Sequence, residues 1–206
     1  VIAVVADSQN NTYAAGFSVT TGAVVSLNGA DLANFTKQTN VGGLDIYTAN
    51  DGAFAGTESI AVSASFTDTA GNISTSSLNL PSIDTTNPTG IGFSLLTDTG
   101  SSSTDGISSV GTVAVTGLNA DTTWEYSINA TAGTPTWTTG VGSSFTLAAG
   151  DYAIGDINVR QTDAAGNLNT SSGNAALITI DQTAPAAAVI AVVADSQNNT
   201  YAAGFS

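Results

Sequence analysis

Residues 112–116 read TVAVT and, after a short turn, residues 123–129 read TWEYSIN. Apolar and polar residues alternate in both runs, and successive side chains of a strand point to opposite faces. The pattern therefore predicts two half-buried β-strands, with Trp124, Tyr126 and Ile128 on one face. The Gly-, Asn- and Asp-containing segment between the two runs is typical of a turn.

Similar short runs lie on both sides of this stretch. In the N-terminal half, apolar residues at every second position from Ile60 to Phe66 alternate with Ala and Ser. Turn residues interrupt the chain about every 8–12 residues and helical periodicity is nowhere sustained, so the predicted fold class is all-β. Four further strands are predicted at Gly92–Leu96, Ser144–Leu147, Ile157–Gln161 and Ala176–Ile180.

The chain also repeats itself. Residues Val1–Ser18, VIAVVADSQNNTYAAGFS, recur unchanged as Val189–Ser206, a period of 188 residues. An identity of this length does not arise by chance, so the chain contains a repeat and the start of a further copy. Two shorter echoes, at offsets of 95 and 97 residues, divide the repeat in two. They are DTAGN at 68–72 with DAAGN at 163–167, and DTTNP at 84–88 with DQTAP at 181–185.

A unit of roughly 95 residues has the size of an immunoglobulin-like sandwich. We therefore predict tandem immunoglobulin-like β-sandwich domains arranged as an elongated rod. The first unit is placed at 1–86, the second unit at 87–183, and 184–206 is a linker with the opening strand of the next copy. A strand without its sheet leaves backbone groups unpaired, so segment 189–206 is expected to be disordered or to pair with the edge of a neighbouring molecule.

Charge and composition exclude several classes of partner. The formal net charge is −14 and Lys37 and Arg160 are the only cations, so nucleic-acid phosphates and anionic lipids are repelled. The hydrophobic fraction of 42% is too high for a disordered acidic tail. No apolar run approaches the roughly 20 residues that span a bilayer, so no membrane insertion is expected. The two cations are expected to be solvated.

Reactive groups are scarce in this sequence. The chain has no histidine and no cysteine, which excludes the usual general base, a thiolate nucleophile and most zinc sites. Its two glutamates, Glu58 and Glu125, lie in different units, and Glu125 is expected to point outward from its strand. We therefore expect no enzymatic activity. Trp124 and Trp137 flank a hairpin and either form a sugar-stacking platform or, more commonly for such pairs, pack in the core.

The second unit resembles a known family in the order of its motifs. The resemblance covers nearly all of residues 84–185 and is to the tandem bacterial Ig-like repeats of giant secreted, RTX-type and biofilm-associated surface adhesins. The first unit keeps the DxAGN and DTTxP elements but lacks the WEYS hairpin, so it is a more divergent member. The motifs that carry the resemblance are DTGSSSTDG at 98–106, WEYS at 124–127, SFTL at 144–147, YA at 152–153, VRQTDAAGN at 159–167 and DQTAP at 181–185.

That resemblance implies a function. It implies a β-sandwich extender, stiffened by Ca²⁺ at domain junctions, that holds a ligand-binding tip away from a bacterial surface during biofilm formation or host attachment. It also implies an extracellular location and neighbouring repeats of the same chain as partners. A protomer of a self-assembled filament, joined through segment 189–206, stays open as an alternative, and a carbohydrate-binding module is a third.

Aspartates are the candidate calcium ligands, because Ca²⁺ takes six to eight oxygen ligands, mostly carboxylates and carbonyls. In an immunoglobulin-like sandwich, the loop after the first strand, the loop before the sixth and the C-terminal exit lie at one pole. The loop before the last strand lies at the other pole, beside the entry linker. The predicted ligands are Asp98, Asp105, Asp156 and Asp181 at the far pole of the second unit, and Asp7, Asp84 and Asp163 at the junction between the units.

The same aspartates have a second interpretation. Aspartate is favoured in turns because its side chain accepts hydrogen bonds from its own backbone, and DxAGN is also a plausible tight hairpin. The sequence does not choose between a calcium clamp and a set of turns.

Overall fold

The computed structural model of the chain describes residues 1–9, 12–194 and 202–205. These residues form an all-β protein with several antiparallel sheets and one short 3-10 helix, Leu32–Asn34. Within these described residues, no helix is long and apolar enough to cross a membrane. The prediction of an all-β fold class is therefore confirmed.

The first unit has two antiparallel sheets over its described residues. The first sheet has the strand order β1-β2-β5-β4 and the second has the order β3-β6-β7. Both edge strands β3 and β7 pair with β6 over their full lengths. The strands are β1 (Ile2–Ala6), β2 (Ala14–Thr20), β3 (Val24–Asn28), β4 (Phe35–Val41), β5 (Leu44–Ala49), β6 (Ala61–Thr67) and β7 (Ile73–Asn79).

The core of the first unit is built around Phe17, which is fully buried in β2. The Phe17 ring stacks on the Tyr47 ring of β5, with the centroids 4.7 Å apart, and meets the edge of the Phe35 ring at 5.4 Å. Val62 of β6 belongs to the same hydrophobic cluster and is also fully buried. Side chains from both sheets therefore share one core.

The second unit has three sheets. Their strand orders are β13-β10-β8, β12-β11-β15-β16 and β14-β17-β9, and the β17–β9 pair is parallel whereas the other pairs are antiparallel. The strands are β8 (Gly92–Leu95), β9 (Ile107–Ser108), β10 (Thr112–Thr116), β11 (Thr123–Ser127), β12 (Thr138–Thr139), β13 (Ser144–Thr146), β14 (Gly150–Tyr152), β15 (Asn158–Thr162), β16 (Leu168–Thr170) and β17 (Ile178–Ile180).

Trp124 lies in the core of the second unit, where its side chain is 6% exposed. Its indole Nε1 donates a hydrogen bond of 2.9 Å to the carbonyl oxygen of Gly142, which satisfies the one polar atom of the ring. The hydrophobic cluster around Trp124 and the cluster around Phe17 have no member in common among the described residues. The domain boundaries at 86 and 183 stay predictions.

The predicted alternation is correct through most of these strands but fails at their ends. TVAVT is a strand with the predicted bounds, and Trp124 faces inward as expected. Ile128 is 46% exposed, because β11 ends at Ser127 and the buried side chain there is the serine. Phe66, near the end of β6, is also 46% exposed. Alternation thus fails at Ile128, beyond the last residue of β11, and at Phe66, which pairs with Ser74 of β7 but lies beyond the last residue of β6 that pairs with β3.

Both cations lie on strands and make ion pairs: Lys37 is exposed, as expected, whereas Arg160 is half-buried. Lys37 Nζ lies 2.8 Å from Oδ2 of Asp45, which is 2% exposed. This hydrogen bond, with a second from the N–H of Asn40, holds the pKa of Asp45 below its ordinary value of 3.8. Arg160 pairs with Glu125 across β15 and β11 at 2.7 Å. Both cations therefore join adjacent strands.

The described parts of the C-terminal copy of residues 1–18 pair with each other. Strand β18 (Val192–Ala194) pairs with β19 (Ala202–Phe205), so these residues are ordered strands and not a single strand without a partner, while pairing with a neighbouring molecule stays a prediction. Val192 pairs with Phe205 as Val4 pairs with Phe17, and the same bulge follows one residue later. The backbone register of β1–β2 is thus reproduced. Residues 195–201 and 206 lie outside the described part of the chain.

Gly140 is required beside Trp124. A Cβ atom at position 140 would overlap the indole ring, which is held by the core and by its hydrogen bond. Gly140→Ala is expected to destabilise the second unit by about 1–3 kcal/mol, the usual effect of overpacking a core. Gly133→Ala is the control, because an added Cβ there meets no described atom within 4 Å. Urea unfolding followed by tryptophan fluorescence measures both, and equal midpoints would contradict the packing described.

Candidate functional site

Two hairpin loops of the same sequence pattern have the same hydrogen bonds. Asp68–Asn72 joins β6 to β7, and Asp163–Asn167 joins β15 to β16. In each loop Oδ1 of the aspartate accepts hydrogen bonds of 2.9 Å from the N–H groups two and four residues on. Its Oδ2 accepts from the asparagine Nδ2, at 2.9 Å and 3.0 Å. These bonds hold the pKa of Asp68 below its ordinary value, the Asn72 side chain having the largest effect.

The surroundings of the two loops differ. Asn167 Nδ2 donates a further hydrogen bond of 3.2 Å to the carbonyl oxygen of Asp84, at the end of the first unit. A Cβ atom added to Gly166 would lie 2.8 Å from Cβ of Gln9, so this loop packs closely against the first unit. Ala165 is 3% exposed. We call this contact of residues 163–167 with Asp84 and Gln9 the seam.

The linker at the seam is short and is held from both sides. Thr86 Oγ1 donates a hydrogen bond of 2.7 Å to the carbonyl oxygen of Phe54 in the first unit. The N–H of Thr89 donates one of 2.9 Å to Oδ1 of Asn119 in the second unit. Between Thr86 and Thr89 stand only Asn87 and Pro88, and Pro88 is buried. Because proline also fixes its own φ angle, little rotational freedom is left between the units.

Gln161 fixes the second unit's side of the seam. Its side chain is fully buried, and Nε2 donates hydrogen bonds to the carbonyl oxygens of Thr89, at 3.2 Å, and Gly117, at 3.1 Å. Oε1 accepts from the N–H of Asn119 at 2.9 Å. One side chain thus ties the linker to the turn between β10 and β11. Sequence reasoning placed Gln161 on a strand but did not single it out, although a glutamine at an inward position of β15 is the signal that would have found it.

Five of the seven predicted calcium ligands form Asx turns, in which the carboxylate accepts a hydrogen bond from the N–H two residues on. The donors lie at 2.6–3.0 Å from Oδ1. The turn interpretation therefore describes their local geometry, while the calcium assignment stays a prediction. The pairs are Asp7 with Gln9, Asp84 with Thr86, Asp105 with Ile107, Asp163 with Ala165 and Asp181 with Thr183.

The seam brings two of its three predicted ligands to one place. Asp84 and Asp163 line one groove with Asn87 and Asn119. Oδ1 of Asp163 accepts three hydrogen bonds from its own loop, whereas Oδ2 accepts one, from Asn167 Nδ2. No group of three or more acidic side chains placed to hold a metal occurs in the described parts of the chain.

The far pole of the second unit fits a cation better. Asp98 Oδ2 accepts a hydrogen bond of 3.0 Å from the N–H of Gly106, but its Oδ1 is buried and has no hydrogen-bond partner among the described residues. A buried carboxylate oxygen without a partner is unfavourable, and a cation is one group that would satisfy it. Asp98 and Asp105 line the same groove.

The other two predicted ligands at this pole are not shown to join that pair. Asp156 accepts hydrogen bonds from Thr131 Oγ1 and from the N–H of Ala153. Asp181 accepts one from Thr183 and donates its own N–H to the carbonyl oxygen of Ser108. The Asp156 carboxylate thus joins its own loop to the segment after β11, and the Asp181 carboxylate is engaged in its own turn.

The two tryptophans have different environments. Trp124 is a core residue, whereas Trp137 is half-buried and lies under the guanidinium of Arg160, whose Cζ is 4.1 Å from the ring centroid. Arg160 in turn pairs with Glu125. One face of Trp137 is therefore occupied by an arginine, and Trp124 is withdrawn into the core, so the two rings do not form a common stacking surface.

No protein-family model matches the chain, and no curated protein matches it.

Proposed function

We propose that this chain is a structural spacer: two immunoglobulin-like sandwiches joined end to end, repeated in an extracellular bacterial adhesin, that hold another part of the protein away from a surface. The observation that carries this proposal is the seam. The linker is hydrogen-bonded to both units and contains a buried proline, and a loop of the second unit is hydrogen-bonded to the first. Contacts of this kind fix the orientation of one unit relative to the next.

The strand orders support the immunoglobulin-like part of the proposal. The orders β1-β2-β5-β4 and β3-β6-β7 correspond to the ABED and CFG sheets of a constant-type immunoglobulin domain. In the second unit, the hydroxyl of Tyr152 donates a hydrogen bond of 3.1 Å to the carbonyl oxygen of Ala148 before β15. This bond is like the tyrosine corner of that fold. The parallel pair β9–β17 joins the connection between β8 and β10 to the last strand of this unit.

Small-angle X-ray scattering of the chain tests the spacer proposal. A compact particle of 206 residues has a radius of gyration of about 17 Å. End-to-end units give a clearly larger value and a distance distribution with a long tail, whereas units packed side by side give a value near the compact one and would reject the proposal. Electron microscopy of native material then separates isolated rods from ordered filaments.

Calcium enters this proposal as a stiffening ion at the far pole of the second unit. Asp98 and Asp105 would hold it there, and when bound the ion would supply positive charge to the buried Oδ1 of Asp98. At about 10 mM Ca²⁺ and the affinity usual for extracellular modules, binding raises the free energy of unfolding by about 1.4–2.7 kcal/mol. We expect a higher melting temperature with Ca²⁺ than with EDTA.

The Asp98→Asn variant is expected to lose this calcium effect. Asp31→Asn is the matched control, since Asp31 caps the 3-10 helix of the first unit through the N–H of Ala33 and lies outside the predicted ligand set. Its calcium shift should equal that of the unsubstituted chain. Identical melting curves with Ca²⁺ and EDTA would reject the calcium site and leave the seam, which is held by hydrogen bonds, unaffected.

A further inference from the structure

The first unit carries the same loop as the one in the seam, but no partner surface covers it among the described residues. All residues of Asp68–Asn72 are exposed, and a Cβ atom added to Gly71 meets no described atom within 4 Å. In the seam, the corresponding Ala165 is 3% exposed and the corresponding Gly166 packs against Gln9. The loop at 68–72 therefore has the internal geometry of a docking element and a free outer surface.

The chain itself shows what precedes a first unit. Segment 189–206 has the sequence of residues 1–18, and its described strands pair in the register of β1–β2. This copy of the first unit follows the end of a second unit after the linker at 181–188. By the repeat, the surface that meets a first-unit loop is the C-terminal end of a second unit.

That end has the features of the surface that already contacts the seam loop. The Asp181–Pro185 segment corresponds to Asp84–Pro88, and in both the aspartate accepts a hydrogen bond from the N–H of the threonine two residues on. The difference is burial. Pro88 is buried at the seam, whereas Pro185 is exposed.

We propose that the loop Asp68–Asn72 is a docking site for the Asp181–Pro185 end of the second unit of another copy of this chain. Asn72 Nδ2 then donates to the carbonyl oxygen of Asp181, as Asn167 Nδ2 donates to that of Asp84. Because the two surfaces differ and lie on different units, the contact is heterologous and continues head to tail. This inference rests on the proposed spacer function, in which each unit of an array repeats the seam.

The contact uses neutral groups, and this matters for its strength. Each chain carries a net charge of −14, so separate chains repel each other. Salt at about 0.15 M reduces this repulsion beyond about 8 Å but does not affect an amide-to-carbonyl hydrogen bond in contact. We therefore expect weak docking between free chains and efficient docking where a linker raises the effective concentration to the order of 1 mM.

Cysteine cross-linking tests the proposal cleanly, because the chain has no cysteine of its own. A Thr69→Cys chain is mixed with an Ala184→Cys chain at about 1 mM, the effective concentration of a short linker, and treated with a short bis-maleimide. Both positions are exposed. The corresponding pair at the seam, Ala164→Cys with Asn87→Cys in one chain, supplies the reference yield.

We expect several-fold more cross-linked product from this mixture than from a Ser77→Cys chain mixed with the same Ala184→Cys chain, since Ser77 is exposed on β7 away from the loop. Adding Ala70→Glu to the Thr69→Cys chain should reduce the product to the Ser77 level, whereas adding Ser76→Glu should not. A yield equal to the Ser77 control would overturn the docking proposal. If scattering shows extended single chains in the same sample, that result leaves the spacer function standing, whereas compact chains reject the spacer function itself.

Discussion

Replacing Phe17 with alanine is expected to lower the free energy of unfolding of the first unit by about 3–5 kcal/mol. The ring is fully buried, stacks on Tyr47 at 4.7 Å and contacts Phe35, so its removal leaves a cavity between two sheets. The second unit has a core of its own, and its unfolding transition should stay near its original temperature. Differential scanning calorimetry measures both transitions.

Phe66→Ala is the matched control for this prediction. Phe66 lies in β6 of the same unit, but it is 46% exposed, so truncating it should cost far less than truncating Phe17. A single transition that moves as a whole in Phe17→Ala would show that the two cores unfold as one. That outcome would contradict the division of the chain into two units.

Gln161→Leu is expected to destabilise the second unit by about 2–4 kcal/mol, although leucine is apolar and similar in size. The substitution leaves the carbonyl oxygens of Thr89 and Gly117 and the N–H of Asn119 without their partner. A buried polar group that loses its partner costs about 1–3 kcal/mol, and because Thr89, Gly117 and Asn119 are exposed residues, water offsets part of this for each. Because Thr89 follows the linker, the orientation of the units should also become less defined.

The control for this substitution is Gln38→Leu, since Gln38 is exposed on β4. It should change the unfolding midpoint very little. Amide hydrogen exchange gives the local readout: Gln161→Leu should raise exchange in residues 117–122 without changing β4 and β5. Unchanged protection of that turn would contradict the role given to Gln161.

The strands were predictable because their signal is local. Alternation in TVAVT and in the first residues of TWEYSIN reports which face meets the core, and the structure places both as strands. The signal ends with the pairing: nothing in the sequence marks Ser127 as the last residue of β11, and so Ile128 was placed on the wrong face. An ion pair across strands, such as Lys37 with Asp45, depends on the register between β4 and β5. Alternation does not give that register, so the ion pair was missed.

The aspartates show why the candidate site was harder to predict than the fold. The local sequence around an aspartate is the same whether its carboxylate accepts a hydrogen bond in a turn or binds a cation. Asp163 uses both oxygens within its loop, whereas Asp98 has one buried oxygen without a partner among the described residues, and only the three-dimensional arrangement separates them. Sequence placed Asp84 and Asp163 at one junction, and they do line one groove.

The repeat was visible in the sequence, but its consequence was not. DTAGN and DAAGN are nearly identical, and their loops have the same hydrogen bonds. Whether such a loop is docked or free depends on the unit that precedes it, which no local pattern reports. Comparing the buried Ala165 with the exposed loop at 68–72 gives that information.

A distance measurement between the units tests whether the seam holds them in one orientation. Spin labels at Ser77→Cys in the first unit and Thr146→Cys in the second occupy exposed positions in a chain that has no other cysteine. If the seam fixes the units, double electron–electron resonance gives one narrow distance distribution, and Asn167→Ala, which removes the bond to Asp84, broadens it. A distribution already broad in the unsubstituted seam would show two units moving independently and would contradict the account.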